Sequence, residues 1–329
     1  MQQPATTIHK GRQRNASIQF LRGFAILLVI GAHTCPEGIA TIVFRPMLNV
    51  SVPLFIFLSG LLTKVDNDDW MAFFKKRIVR VLIPYIIWTV IYTIQMGKLK
   101  SLPVNLRNGT YAGQMYYIFV YVQLVLLTPV LGKLAKSKFR HLVWLISPIY
   151  QVCRHYIPLL TGCAISGHLV AIATNICLEF IIYYYMGLML GNHIMGKNFS
   201  VTKLAMLFAL ALLMQMGEAY GLLLLGNDNP GNPGITNMLT SVIFLLLVYA
   251  LLERGSFKNC NRFLVMVGDY SFGLFLCHVL FKRLLQLTSF YDSLPFVVNS
   301  ALVFAISLAF CLVVDKVFGA RVSRWLGIR

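Results

Sequence analysis

Apolar runs of about twenty residues recur along the chain, from Ser17 almost to its last residues, with short polar segments between them. A run of that length crosses the hydrocarbon layer of a bilayer as an α-helix, which satisfies its own backbone hydrogen bonds. The pattern predicts ten such helices, at 17–35, 38–63, 78–97, 114–132, 141–160, 168–191, 203–225, 235–253, 267–288 and 296–317. The longest polar segments are Lys98–Gly113 and Gly226–Gly234. The second, GNDNPGNPG, has the Gly, Asn and Pro content of a turn-rich loop. The fold class expected is all-α, a polytopic transmembrane helical bundle. Residues 17–317 form one integral-membrane domain between a polar N-terminal stretch, 1–16, and a basic tail, 318–329. No soluble domain and no removable signal peptide are expected, because the polar start lacks a cleavage site and the first run is long enough to stay in the membrane.

Composition and charge add an orientation to this picture. Of 329 residues, 58% are hydrophobic and only 12% are charged, and the mean hydropathy is +0.72. The net charge of +18 would point to nucleic acid in a soluble protein. Here it follows from Lys and Arg in the connecting segments. With the N-terminus inside, those segments hold about three times as many Lys and Arg as the outside ones, which places both termini in the cytoplasm. The inside set includes Lys75, Lys76, Arg77 and Arg80, then Lys133, Lys136, Lys138 and Arg140, then Lys316, Arg321, Arg324 and Arg329. The outside set is Arg45, Lys98, Lys100, Arg107, Arg154, Lys282 and Arg283. Seven cysteines, at 35, 153, 163, 177, 260, 277 and 311, form no CxxC or metal-ligand spacing, so no metal or redox role is assigned.

The first run, QFLRGFAILLVIGAHT, carries Arg22 and His33 eleven residues apart. That is almost three helical turns, so both project from one face, about 16 Å apart along the axis. Ionisable groups inside a span mark an interior site or path, and a histidine is the side chain suited to proton transfer near neutral pH. His278 stands at a comparable height in the ninth span, in GDYSFGLFLCH. Arg77 and Arg80 are neighbours on one helix face at the cytoplasmic mouth, preceded by Lys75 and Lys76. Such paired guanidinium groups suit phosphate oxygens, although inside loops carry charge in any case. Ser59, beside Pro53 and Gly60 in the second span, serves close helix packing or a polar path. Tyr116 and Tyr117 form an aromatic belt or the rim of a sugar pocket. Glu218, near Gln215, faces the interior or the outer interface.

Four stretches in order resemble the membrane-bound acyltransferase 3 family of bacterial O-acyltransferases: LRGFAILLVIGAH, VPLFIFLSGLL, KKRIVRVLIPY and GDYSFGLFLCH. The resemblance covers nearly the whole chain. It implies acyl transfer from a cytoplasmic acyl-CoA, usually acetyl-CoA, to a hydroxyl of a cell-surface carbohydrate or lipid-linked glycan, in the bacterial inner membrane. It implies His33 as the catalytic residue, with Arg22, Arg77 and Arg80 handling the donor. Lys76 joins the donor site, and Ser59, Tyr116, Tyr117, Glu218 and His278 are the candidates for substrate contact; Ser59 and Tyr116 are also candidates for an oxyanion stabiliser. Two positions depart from the family pattern. Gln19 stands where many members carry an acidic residue, and QMYY, Gln114–Tyr117, stands where many have a His-Trp pair. The alternative is a transporter or flippase of a glycan lipid, whose intramembrane polar groups line a substrate path.

Overall fold

The structure is a computed structural model and describes residues 5–109, 111–162, 175–196, 199–225 and 234–329. Every regular element among them is helical. In chain order the helices are α1 (Ala5–Thr34), α2 (Ile39–Leu48), α3 (Ser51–Leu61), α4 (Trp70–Gln95), α5 (Leu102–Asn108), α6 (Tyr116–Lys136), α7 (Val143–Gln151) and α8 (Ile157–Thr161). They continue with α9 (Ile181–Gly191), α10 (Val201–Leu224), α11 (Ile235–Glu253), α12 (Arg262–Asp269), α13 (Ser271–Gln286), α14 (Ser289–Asp292) and α15 (Phe296–Trp325). Seven helices among the described residues are long and apolar enough to cross a membrane, and α12 with α13 makes an eighth if that bent pair is one span. Large apolar side chains such as Met206, Leu210, Leu213, Val313 and Val317 point outward, as a lipid-facing surface requires. The protein is a helical bundle built for a membrane.

The expected spans map onto these helices with five differences, one being that the sixth is present among the described residues only as α9, eleven residues long and short of a full span. The second is broken: α2 and α3 meet at Asn49–Val50, between Pro46 and Pro53, neither of which can donate to the helix ladder. The third begins earlier, at Trp70, where Asp69 caps the helix by accepting from Ala72 N–H at 2.8 Å. Lys75, Lys76 and Arg77, ahead of the expected span, therefore lie within the same helix as Arg80. The fifth carries a π-helical turn, Val152–Tyr156, just ahead of Pro158, whose missing N–H leaves the ladder to rearrange. The ninth bends by 77° between α12 and α13. Its joint, Tyr270, sits at φ −94°, ψ 2°. Residues 168–174 of the sixth expected span and most of the loop at 226–234 lie outside the described residues.

α1 is the central helix. It packs against α2, α3, α12, α13 and α15. Its closest approach is to α12, where Gly23 lies against the Leu264 carbonyl and Gly268 against the Gln19 carbonyl; a Cβ at either glycine would overlap those oxygens. A second close crossing joins α3 and α9 through Gly60 and Gly187, each against backbone of the other helix. Small residues let backbones approach in this way where lipid supplies no hydrophobic drive between helices. α9 is buried on every side from Ile181 to Leu190, so its apolar all-round sequence reads as a core helix.

Candidate active site

α1 presents Arg22 and His33 to the interior at opposite ends of one stripe. At the Arg22 end the Gln19 amide oxygen accepts from Arg22 Nη1 at 3.4 Å. The other polar groups whose fields reach Arg22 are the guanidinium groups of Arg77 and Arg80 and the phenols of Tyr117 and Tyr121. No carboxylate pairs with Arg22, Arg77 or Arg80 among the described residues. Three guanidinium groups gathered without a counter-charge make a region that attracts anions. Arg77 is fixed by two contacts: Nη1 donates to Ser59 Oγ at 3.2 Å, and its guanidinium lies over the Phe73 ring. Arg80 also lines, with Lys75 and Lys76, a cleft of about 680 Å³.

From Arg22 a series of aromatic rings leads to the histidine end. Tyr117 stacks on Tyr121, with centroids 6.1 Å apart, and contacts Phe275 at 5.2 Å. Phe275 lies 6.3 Å from the His278 ring, and His278 lies 5.0 Å from the His33 ring. Tyr117 and His33 are half-buried. The stripe on α1 and the rings on α6 and α13 thus link the basic end to the histidine end by a run of contacting side chains.

His278 is fully buried. Its Nδ1 lies 3.0 Å from the Leu274 carbonyl. A carbonyl only accepts, so Nδ1 carries the proton and Nε2 keeps its lone pair. Nε2 has no hydrogen-bond partner among the described residues. The helix around His278 is held by Tyr92, whose hydroxyl donates to Leu276 O at 2.7 Å and accepts from Leu280 N–H at 3.2 Å. Gln114 in turn donates to the Tyr92 oxygen at 3.0 Å. Gln114 opens the QMYY stretch, so at this position the chain supports the histidine helix from behind.

His33 falls in the last turn of α1, where carbonyl groups have no intrahelical donor. Lys282 Nζ donates to the His33 carbonyl, at 2.5 Å, and its cation suits the negative end of the helix. The fields of His278, Lys282 and Arg45 all reach His33. Arg45 Nε is buried with no hydrogen-bond partner among the described residues. Tyr116 shares the Arg45 field and also feels Glu179 and Arg154, which form an ion pair at 2.8 Å. Glu218 belongs to a separate cluster, where its carboxylate accepts from the hydroxyls of Tyr156 and Thr236.

A family model described as an acyltransferase domain matches residues 15–316. The chain belongs to the acyltransferase 3 family. No curated protein and no solved structure matches it. The residues that carry the family resemblance occupy the two ends of this run of side chains: Arg22, Arg77 and Arg80 at the basic end, His33 and His278 at the other. Ser59 lies at the basic end, bonded to Arg77, so it stands away from the histidine pair. Two residues beside His33 in this acyltransferase were not singled out from the sequence for the site. Lys282 reads in the sequence as an outside charge, yet its spacing from His278, four residues on the same helix, is a visible signal. Arg45 reads the same way, and only its place inside the apolar α2 marks it as different.

Proposed function

We propose that the protein is a membrane O-acyltransferase that moves an acyl group, acetyl in the simplest case, from cytoplasmic acyl-CoA to a hydroxyl of an extracytoplasmic or lipid-linked carbohydrate. The reading takes ten spans, both termini in the cytoplasm, and a bacterial inner membrane. The single observation that carries it is the run of contacting rings that links an unpaired guanidinium cluster to a histidine pair. The donor's phosphates meet Lys76, Arg77 and Arg80, its pantetheine arm passes Arg22 and Tyr117, and its thioester reaches His33. No metal is required of the residues present.

At His33 the chemistry balances as follows. The imidazole removes the proton of the acceptor hydroxyl as its oxygen attacks the thioester carbonyl. Negative charge then gathers on the carbonyl oxygen, within the positive field of Lys282 and Arg45. The carbon–sulfur bond breaks, and the leaving thiolate takes the proton back from the imidazolium. His278, with its Nε2 lone pair free, accepts a hydrogen bond that orients His33 or the acceptor hydroxyl. Tyr116 remains a candidate for acceptor contact; Tyr117 falls on the donor's course, and Glu218 is held in its own cluster by Tyr156 and Thr236.

Purified protein supplied with acetyl-CoA and candidate glycans should release free thiol only when an acceptor is present. His33→Ala should abolish that release while CoA still binds. Thiol release that persists in this variant would remove His33 from the mechanism. Glycan movement across a vesicle membrane without thiol release would favour a flippase instead.

A further inference from the structure

The C-terminal segment is a folded hook rather than a loose basic tail. α15 is interrupted at Gly319, at φ 71°, ψ 179°, a backbone conformation open to glycine and closed to most other residues. Beyond that break the chain turns back against α4 and α13. Asp315, one turn before the break, receives three donors: Ser323 Oγ and Tyr270 Oη at 2.8 Å, and Arg329 Nη1 at 2.9 Å. Trp88 Nε1 donates to the Leu326 carbonyl at 3.0 Å. Ile328 is fully buried and lies against Gly273, and Gly327 lies against Pro84 and Phe272.

The hook brings Arg321, Arg324 and Arg329 to the cleft of about 680 Å³ whose other wall is Lys75, Lys76 and Arg80 on α4. Arg329 is committed to Asp315, and Asp269 contributes a carboxylate to the same wall. Arg321 and Arg324 are exposed, three residues apart on one helical turn, and among the described residues their side chains make one hydrogen bond, Arg324 Nε to its own turn at Ala320 O. A side-by-side pair of guanidinium groups matches a phosphate dianion.

We propose that the hook completes a polyphosphate site and that Arg321 and Arg324 take the 3′-phosphate of the coenzyme A nucleotide. This rests on the donor reading above. Arg80 belongs both to the cleft and to the group of guanidinium side chains around Arg22, so it marks where the cleft adjoins the Arg22 end of α1. In coenzyme A the pyrophosphate lies nearer the thioester than the ribose 3′-phosphate does. The pyrophosphate therefore falls to the α4 wall, and the 3′-phosphate to the hook. Anionic lipid headgroups offer the same phosphate chemistry, and the test separates them.

The experiment is calorimetric titration of the full chain, in discs of zwitterionic lipid, with coenzyme A and with 3′-dephospho-coenzyme A. Wild-type protein should bind coenzyme A about tenfold or more tightly than the dephospho form, as expected for charge-assisted hydrogen bonds. The double variant Arg321→Gln, Arg324→Gln should erase that difference while keeping wild-type affinity for the dephospho form. Both side chains are exposed, so its thermal unfolding should match the wild type. Equal losses for both ligands, or none for either, would overturn the assignment. So would a variant that differs only in binding discs containing phosphatidylglycerol, which would make the cleft a lipid site. Wild-type protein that binds neither ligand would instead defeat the donor reading itself.

Discussion

Two imidazoles from helices far apart in sequence meet inside the bundle, and their neighbours differ in kind. His33 has cations around it, Lys282 on its carbonyl and Arg45 within reach. His278 has a tautomer fixed by Leu274 and an unpartnered Nε2. His278→Ala should lower kcat by about a hundredfold, the scale of a lost proton-transfer aid, with KM for acetyl-CoA unchanged. A KM rise at constant kcat would make His278 a donor contact instead. Tyr92→Phe removes the hydroxyl that bridges Leu276 and Leu280 and leaves Gln114 short of a partner. It should destabilise the protein by about 1–3 kcal/mol, read as a lower unfolding midpoint; an unchanged midpoint contradicts the bracing role. Arg22, His33 and His278 were legible in the sequence because ionisable residues stand out against apolar runs. Lys282 and Arg45 were not, because a hydropathy pattern does not separate a cation at a helix end from one turned inward.

At the scale of elements, the site depends on how closely α1 is held. The α1–α12 crossing has no room at Gly268, whose added Cβ would meet the Gln19 carbonyl, and Gln19 also holds Arg22. Gly268→Leu should therefore force the helices apart, costing about 1–3 kcal/mol or more and lowering activity with stability. Gly217→Ala, on the open face of α10 where nothing lies within 4 Å, should leave both unchanged. Equal effects at the two positions, measured by unfolding in detergent, would contradict the packing account. The helical class and most span positions could be read from the runs of apolar residues. The break between α2 and α3, the π turn before Pro158 and the 77° bend at Tyr270 could not. Each arises where tertiary hydrogen bonds and proline geometry interrupt a run whose hydropathy stays high.

For the whole molecule, the basic end and the histidine end of the site differ in charge source. The basic end draws on α4 and the C-terminal hook, the histidine end on α2 and α13. The proposed topology puts the first in the cytoplasm. A cysteine placed at Asn259, in a cysteine-free background, should react with a membrane-impermeant maleimide only in inverted vesicles. A cysteine at Ser293 should react only in right-side-out ones. The reverse pattern would invert the topology and with it the side from which the donor enters. The basic tail was visible as charge in the sequence, but its return to the cleft was not, since it depends on Gly319 and on the three donors gathered at Asp315. The central claim is that one path carries the donor from that cleft to His33. A structure of the protein with a non-hydrolysable acetyl-CoA analogue tests it most directly. The account predicts the nucleotide in the basic cleft, the pantetheine arm beside Arg22 and Tyr117, and the acyl carbonyl next to His33. An acyl group that stops at Arg22, or a donor lying outside the bundle, would contradict it.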